Sequence, residues 1–114
     1  MPHCILDCSQ TIETHAPLDD IIKTVHDAAV DSGLFGQGDV KVRARLFEHY
    51  TIGGEKKDFL HIIAYILSGR SEEQREDLSR RIIVALKELL PNVPVLSIDV
   101  REINRATYNN RNTV

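Results

Sequence analysis

The chain has 114 residues, enough for one domain of ordinary size and too few for two independent cores. Its composition, 42% hydrophobic and 27% charged, excludes the disordered, collagenous and disulfide-scaffold classes. The formal net charge is −3, so we expect no nucleic-acid or membrane partner. The longest apolar stretch, 59–67, falls far short of the ~20 residues of a membrane span. The N-terminus lacks the pattern of a secretory signal, and we expect a cytoplasmic protein.

The first half of the chain predicts a strand, a helix and a second strand. Residues 3–8 form a short run rich in Cys, Ile and Leu, which is typical of a buried strand. Pro17 suits a first helical turn and Gly33 a helix end, and the apolar residues between them repeat with helical spacing. Apolar and basic residues alternate over 40–47, which predicts a strand with one apolar and one basic face.

The second half repeats this order. Residues 59–67 are apolar on both faces, which predicts a strand that is covered on both sides. Ser71 and Gln74 match the S-x-x-Q form of the capping box, so a helix should begin at Ser71 and end before Pro91. Residues 95–103 are expected to form the last strand.

The element order predicts an α/β (α+β) fold with a four-stranded mixed sheet and two helices on one face. We expect one domain over 1–114, with similar halves at about 2–50 and 58–104 and a polar tail at 105–114. Each half would join two parallel strands through a helix. The second sheet face must meet water or another subunit, and the apolar strand at 59–67 favours a homo-oligomer.

Cys4 and Cys8 are four residues apart, which separates them by ~13 Å in a strand and excludes a disulfide between them. We expect reduced, buried thiols. No second Cys/His pair completes a tetrahedral metal site, and no phosphate-binding or dinucleotide glycine pattern is present, so we predict no metal and no cofactor. The sequence selects none of the histidines or tyrosines for a role.

Pro2 is a candidate catalytic base. Removal of Met1 before a small residue would leave a free secondary amine, and an α-amino group titrates near ~8. Burial or neighbouring positive charge would lower that pKa towards neutrality, where a general base works best. A proline at this position also occurs by chance, since about 5% of residues are proline.

Three arginines are candidate anion-binding residues. Arg43 and Arg45 point to the same face of the second strand, which is either a solvated face or a site for a carboxylate. Arg70 stands one residue before the helix cap, where free backbone N–H groups and the helix dipole favour an anion. An amine base with well-placed guanidinium groups suits a small di- or tricarboxylate substrate whose proton must move.

Three segments, in the same order and spread over nearly the whole chain, resemble the 5-carboxymethyl-2-hydroxymuconate isomerase family of the tautomerase superfamily. They are Met1-Pro2-His3, Val42-Arg43-Ala44-Arg45 and Gly69-Arg70-Ser71-Glu72-Glu73-Gln74-Arg75. The loop at 53–58 is shorter than in that family, and the tail from Asn104 matches it only loosely.

The resemblance implies a βαβ-βαβ subunit that assembles as a homotrimer and acts as a cofactor-independent isomerase. Pro2 would remove the proton of the 2-hydroxyl group of 5-carboxymethyl-2-hydroxymuconate and deliver one to C5, giving the 2-oxo-3-ene isomer in homoprotocatechuate degradation. Arg43 and Arg70 would bind substrate carboxylates, with Arg45 as a further candidate.

Two alternatives remain open at this point. A ferredoxin-like small-molecule-binding domain has the same element order. An RNA-binding domain of that fold would need stacking aromatics, and aromatic residues total only 5%. Within the superfamily, a similar amine and similar arginines could act on another 2-oxo or enol acid, or support hydration or dehalogenation.

Overall fold

The computed structural model describes all 114 residues, and its strands and long helices follow the predicted order. The strands are β1 (His3–Ser9), β2 (Lys41–Phe47), β3 (Phe59–Leu67) and β4 (Val95–Ile103), and the helices are α1 (Leu18–Asp31) and α2 (Glu72–Leu89). A 3-10 turn at Gln10–Thr14 was not predicted, because its sequence is mostly polar and lacks a repeat. Neither helix is long and apolar enough to cross a membrane.

The four strands form one mixed sheet in the order β2-β1-β3-β4. β1 is parallel to β2, β3 is parallel to β4, and the two halves meet along the antiparallel pair β1 and β3. The prediction of two parallel βαβ units is therefore confirmed. In a ferredoxin-like sheet each βαβ unit is split by an intervening strand, whereas here β1 bonds directly to β2. The ferredoxin-like alternative is wrong.

The helices cover one face of the sheet and leave the other open. Leu6 and Ile62 point towards the helices and are fully buried, as period-two alternation requires. Ile5 and Ile63 pair with each other on the opposite face and are only half-buried. The expectation that β3 is covered on both sides is thus not met within the isolated chain, because both helices pack on the same side.

Cys4 and Cys8 are free thiols in the core, as predicted. Burial raises the pKa of Cys4 to about 11, and burial together with the nearby Asp7 carboxylate raises the pKa of Cys8 to about 12. A thiolate is the reactive form of cysteine, so these residues are inert at neutral pH and serve as small apolar side chains.

The predicted capping box at the start of α2 is confirmed. Ser71 Oγ accepts from the Gln74 backbone N–H at 3.1 Å, and Gln74 Oε1 accepts from the Ser71 N–H at 2.9 Å. We expect Ser71→Ala to lower the free energy of unfolding by about 1 kcal/mol, measured by urea denaturation at one protein concentration. Ser79→Ala, inside the same helix, is the matched control and should change it by less than about 0.5 kcal/mol. Equal losses of unfolding free energy in the two variants would contradict the capping role of Ser71.

Asp58, directly before β3, makes hydrogen bonds to the segment that follows β1. Its carboxylate accepts from Thr11 Oγ1 at 2.5 Å and from His15 Nε2 at 2.6 Å. The Thr11 hydrogen bond and, to a smaller extent, the His15 contact hold the pKa of Asp58 below its usual range. The carboxylate form is therefore favoured in the folded state, and its contribution to stability is lost only in acid.

We expect Asp58→Asn to lower the free energy of unfolding by about 1–2 kcal/mol at neutral pH. The native carboxylate contributes fully above its unfolded pKa of about 3.9 and loses its contribution as the pH falls through the lower folded-state pKa. The difference between wild type and variant, measured by urea unfolding across this range, should therefore shrink in acid. Glu88→Gln, on the exposed surface of α2, should show little difference at any pH. A difference for Asp58→Asn that persists in acid would contradict the assignment.

Candidate active site

A cleft of about 400 Å³ opens where β1 begins. It is lined by the N-terminus, the connection before β2, the end of β3, the turn before α2 and the C-terminal tail. The lining residues that matter for the chemistry are Met1, Phe35, Asp39, Arg70, Arg105 and Tyr108. A larger groove of about 580 Å³ lies between α1 and α2, but none of its lining residues belongs to the N-terminus or the sheet.

Pro2 is fully buried and follows Met1, which lines the cleft. Its carbonyl oxygen accepts from the Lys41 backbone N–H at 3.0 Å, which extends the pairing of β1 with β2. Its nitrogen is bonded to Met1, which lines the cleft, so removal of Met1 would leave the Pro2 amine at the cleft wall.

The surroundings of the N-terminus favour an uncharged amine. The pKa of the Met1 ammonium lies below 8.0, first because burial removes water from it and then because the positive charge of Lys41 lies nearby. Asp39 opposes the shift, and Arg70 adds to it more weakly. This environment shifts an amine towards its uncharged form, the form that acts as a base.

Arg70 lines the cleft and has no carboxylate partner. Its Nη2 donates to the Leu34 carbonyl oxygen at 2.9 Å, and its Cζ lies 5.3 Å from the centre of the Phe35 ring. These contacts hold the guanidinium plane, and the remaining N–H groups are not paired with an acid. The predicted anion-binding position is thus occupied by an oriented, half-buried cation.

Arg43 and Arg45 lie on the same strand face but have different partners. Arg43 Nη1 donates to His3 Nδ1 at 3.3 Å, beside the N-terminus, although Arg43 itself does not line the cleft. Arg45 lies two residues further along β2, where its Nε and Nη2 each reach Asp7 Oδ1 at 3.1 Å. The structure therefore brings Arg70 to the cleft, connects Arg43 to it only through His3 and Tyr108, and leaves Arg45 outside it.

The C-terminal tail supplies cleft residues that sequence reasoning did not select. Arg105 donates to the Ser68 carbonyl oxygen from Nε at 3.2 Å and from Nη2 at 3.1 Å. Tyr108 Oη lies 3.4 Å from His3 Nε2. The only local signal was Asn104, whose side chain accepts from the Ala106 N–H and turns the chain after β4. Nothing in the sequence showed that this turn leads back to the N-terminus.

The cleft combines positive charge with a proton acceptor. Arg70 and Arg105 contribute two guanidinium groups and Asp39 one carboxylate, next to an N-terminal amine of lowered pKa. Such a site attracts a small anion and can take a proton from one atom of that anion and deliver a proton to another.

Comparison with known proteins places the chain among isomerases. The sequence matches the family 5-carboxymethyl-2-hydroxymuconate isomerase over residues 2–114. It is 22% identical to the Escherichia coli 5-carboxymethyl-2-hydroxymuconate Delta-isomerase over 121 residues, which cover 100% of this chain and 96% of that protein.

Solved structures share the fold. A 5-carboxymethyl-2-hydroxymuconate isomerase from Deinococcus radiodurans R1 matches with a TM-score of 0.82 and 18% identity, over 96% of this chain and 88% of that one. A wild-type fused 4-OT, described as a symmetric trimer, matches with a TM-score of 0.75 and 16% identity, over 98% of this chain and 94% of that one. The predicted tautomerase-like fold is confirmed by these likenesses. Because the family model matches residues 2–114, the chain belongs to the 5-carboxymethyl-2-hydroxymuconate isomerase family.

Proposed function

We propose that the chain converts 5-carboxymethyl-2-hydroxymuconate to its 2-oxo-3-ene isomer, with the amine of trimmed Pro2 as the proton carrier. The observation that carries this proposal is the position of the Pro2 nitrogen, at a cleft where burial and nearby cations lower the pKa of an amine. Family membership supports the substrate class, and homoprotocatechuate degradation is the pathway in which we place the reaction.

The reaction needs two proton transfers and no cofactor. The uncharged Pro2 amine takes the proton of the substrate 2-hydroxyl group, which leaves a dienolate with negative charge on the 2-oxygen. The resulting ammonium then delivers a proton to C5, and the double bonds shift to give the 2-oxo-3-ene product. Atoms and charge balance, because the amine ends the cycle as it began.

Arg70 stabilises the charge that develops on the substrate. Its free N–H groups suit a substrate carboxylate and lie in a cleft that is partly shielded from water, where a fixed cation acts more strongly than in bulk solvent. Arg43 adds positive charge beside the N-terminus. The position of Arg45 does not support a role in substrate binding, because its guanidinium group already donates to the Asp7 carboxylate.

We further propose a homotrimer. The open face of the sheet carries half-buried Ile5, Ile63 and Tyr65, and a tautomerase-fold relative is a symmetric trimer. Burying this face between subunits would remove its apolar surface from water. Sedimentation equilibrium should give three times the mass of the chain, and a monomer at micromolar concentration would contradict this assembly.

The experiment that tests the function is ultraviolet-followed conversion of 5-carboxymethyl-2-hydroxymuconate by untagged protein whose Met1 removal is verified by intact mass. We expect fast conversion to a product of unchanged mass and, in D₂O, deuterium at C5 by NMR. A product with added water or lost halide from an alternative substrate would assign another superfamily activity. No turnover by correctly trimmed protein would refute the proposed substrate.

A further inference from the structure

Three side chains form a hydrogen-bonded chain that ends at the cleft. Arg43 Nη1 lies 3.3 Å from His3 Nδ1, and His3 Nε2 lies 3.4 Å from Tyr108 Oη. A guanidinium group can only donate, so His3 Nδ1 must accept from Arg43. Burial and the nearby charges of Arg43 and Lys41 hold the pKa of His3 below 6.5, which makes the imidazole neutral at pH 7.

The direction of each hydrogen bond follows from this. A neutral imidazole carries one hydrogen, and because Nδ1 is the acceptor, that hydrogen is on Nε2. Nε2 therefore donates to Tyr108 Oη. Because Tyr108 Oη accepts this hydrogen bond, its own hydroxyl hydrogen cannot also point to His3 Nε2. No other protein group lies within hydrogen-bonding distance of the Tyr108 hydroxyl. It remains free to donate to something else.

Tyr108 lines the cleft together with Arg70 and Met1, so we expect its free hydroxyl hydrogen to be available to a molecule bound there. We propose that Tyr108 donates a hydrogen bond to an oxygen of the anionic substrate, and that Arg43 acts through His3 as a positioning residue for this hydroxyl. The inference deepens the proposed function and rests on it for the identity of the substrate, but the hydrogen-bonded chain itself does not depend on that substrate.

The tail is held so that Tyr108 stays in place. The Arg105 side chain donates two hydrogen bonds to the Ser68 carbonyl oxygen, and the Arg105 backbone N–H donates to Ser68 Oγ at 3.3 Å. The Thr107 N–H donates to the Asn104 carbonyl oxygen at 3.1 Å and closes a turn directly before Tyr108. These contacts anchor the tail to the turn that precedes α2, the same turn that carries Arg70.

A cation and a neutral hydroxyl donor together fit a particular class of ligand. Arg70 suits a carboxylate, and Tyr108 can serve either that carboxylate or an oxygen beside it. The shared chemistry is that of a 2-oxo or 2-hydroxy carboxylate, in which a second oxygen lies next to the carboxyl group.

The first test needs no turnover. Nitrogen-15 NMR of the histidine rings at neutral pH, with His3 assigned by its loss in His3→Gln, should show a neutral His3 with hydrogen on Nε2. The Nε2 resonance should shift in Tyr108→Phe and stay unchanged in Tyr50→Phe, because Tyr50 lies away from the cleft against Phe59. Hydrogen on Nδ1 would overturn the chain of hydrogen bonds, whatever the reaction proves to be.

The second test measures binding of two defined probes, 2-oxoglutarate and glutarate, by calorimetry. Tyr108→Phe should weaken binding about 3- to 10-fold, the scale of one neutral hydrogen bond. If Tyr108→Phe weakens the binding of both probes, the Tyr108 hydroxyl donates to a carboxylate oxygen. If it weakens the binding of 2-oxoglutarate alone, the hydroxyl donates to the 2-oxo oxygen. Unchanged affinities, or no binding of either probe to the wild type, would overturn the proposal.

The role of Arg43 is tested by non-additivity. If Arg43 acts through His3 and Tyr108, Arg43→Ala should weaken 2-oxoglutarate binding by about the same factor as Tyr108→Phe, and the double variant should be no weaker than either single variant. Arg43→Lys, which keeps a donor and the charge, should recover part of the loss. Additive losses would show that Arg43 contacts the ligand directly and would overturn its positioning role.

Discussion

Converting the Pro2 nitrogen into an amide is expected to reduce turnover of 5-carboxymethyl-2-hydroxymuconate to background. One glycine inserted between Met1 and Pro2 achieves this whether or not Met1 is removed, because an amide nitrogen has no basic lone pair. Pro2→Ala keeps an amine but changes its basicity and position, and we expect a loss in kcat of at least ~10²-fold, the scale of general acid–base catalysis. The ultraviolet assay measures both variants after intact-mass verification of their N-termini.

The matched control is Pro17→Ala, at the exposed start of α1, which should keep wild-type activity. The pH dependence gives an independent signature of the base. The amine works uncharged, and the surroundings that lower the pKa of the Met1 ammonium should act in the same direction on the Pro2 amine, so activity should fall in acid and reach its plateau by about pH 8. Full activity of the glycine-insertion variant would leave an isomerase but remove the proline mechanism.

Removal of the Arg70 side chain is the second large expected effect. Arg70→Ala should lower kcat/KM by about 10²–10³-fold, because the cleft loses the cation that stabilises developing charge. Arg70→Lys keeps the charge but loses the planar group over Phe35 and its paired N–H donors, so it should recover only part of the activity. Steady-state kinetics of both variants measure the effect.

Arg80→Ala provides the control for loss of a guanidinium from the same part of the chain. Arg80 is exposed on α2 and pairs with Glu76, four residues before it, so its removal should leave kcat/KM nearly unchanged. Circular dichroism should show an intact fold in Arg70→Ala, which also loses its hydrogen bond to Leu34. A folded Arg70→Ala protein with wild-type kinetics would exclude Arg70 from substrate binding.

Local patterns predicted much of the secondary structure. The bounds predicted for β3 and β4 are those observed, and Gly33, with a φ of 77°, follows the end of α1 as expected. The capping box at Ser71 was predicted from residues only three positions apart, because a helix start depends on backbone groups of its first turn. Signals of this kind need no tertiary information.

The candidate site was predicted in part. Pro2 and Arg70 were selected by chemistry and by position beside a chain end and a helix start. Arg70 lines the cleft, and Pro2 is buried next to Met1, which also lines it. The alternation of β2 does not separate Arg43 from Arg45, since both share one strand face, and only the family resemblance favoured Arg43. Strand register separates them: Asp7 lies opposite Arg45 and pairs with it, while Arg43 contacts His3.

The sequence by itself determined the four strands and the two long helices, their order, and the positions of the N-terminal proline and the arginine before α2. These follow from periodicity and from interactions within a few residues. Only the tertiary structure decided that β1 pairs directly with β2, which excludes the split arrangement, and that the tail returns to place Tyr108 beside His3. Both features depend on contacts between residues that are far apart in the chain. A local sequence pattern does not specify which distant group a backbone or side-chain group will contact.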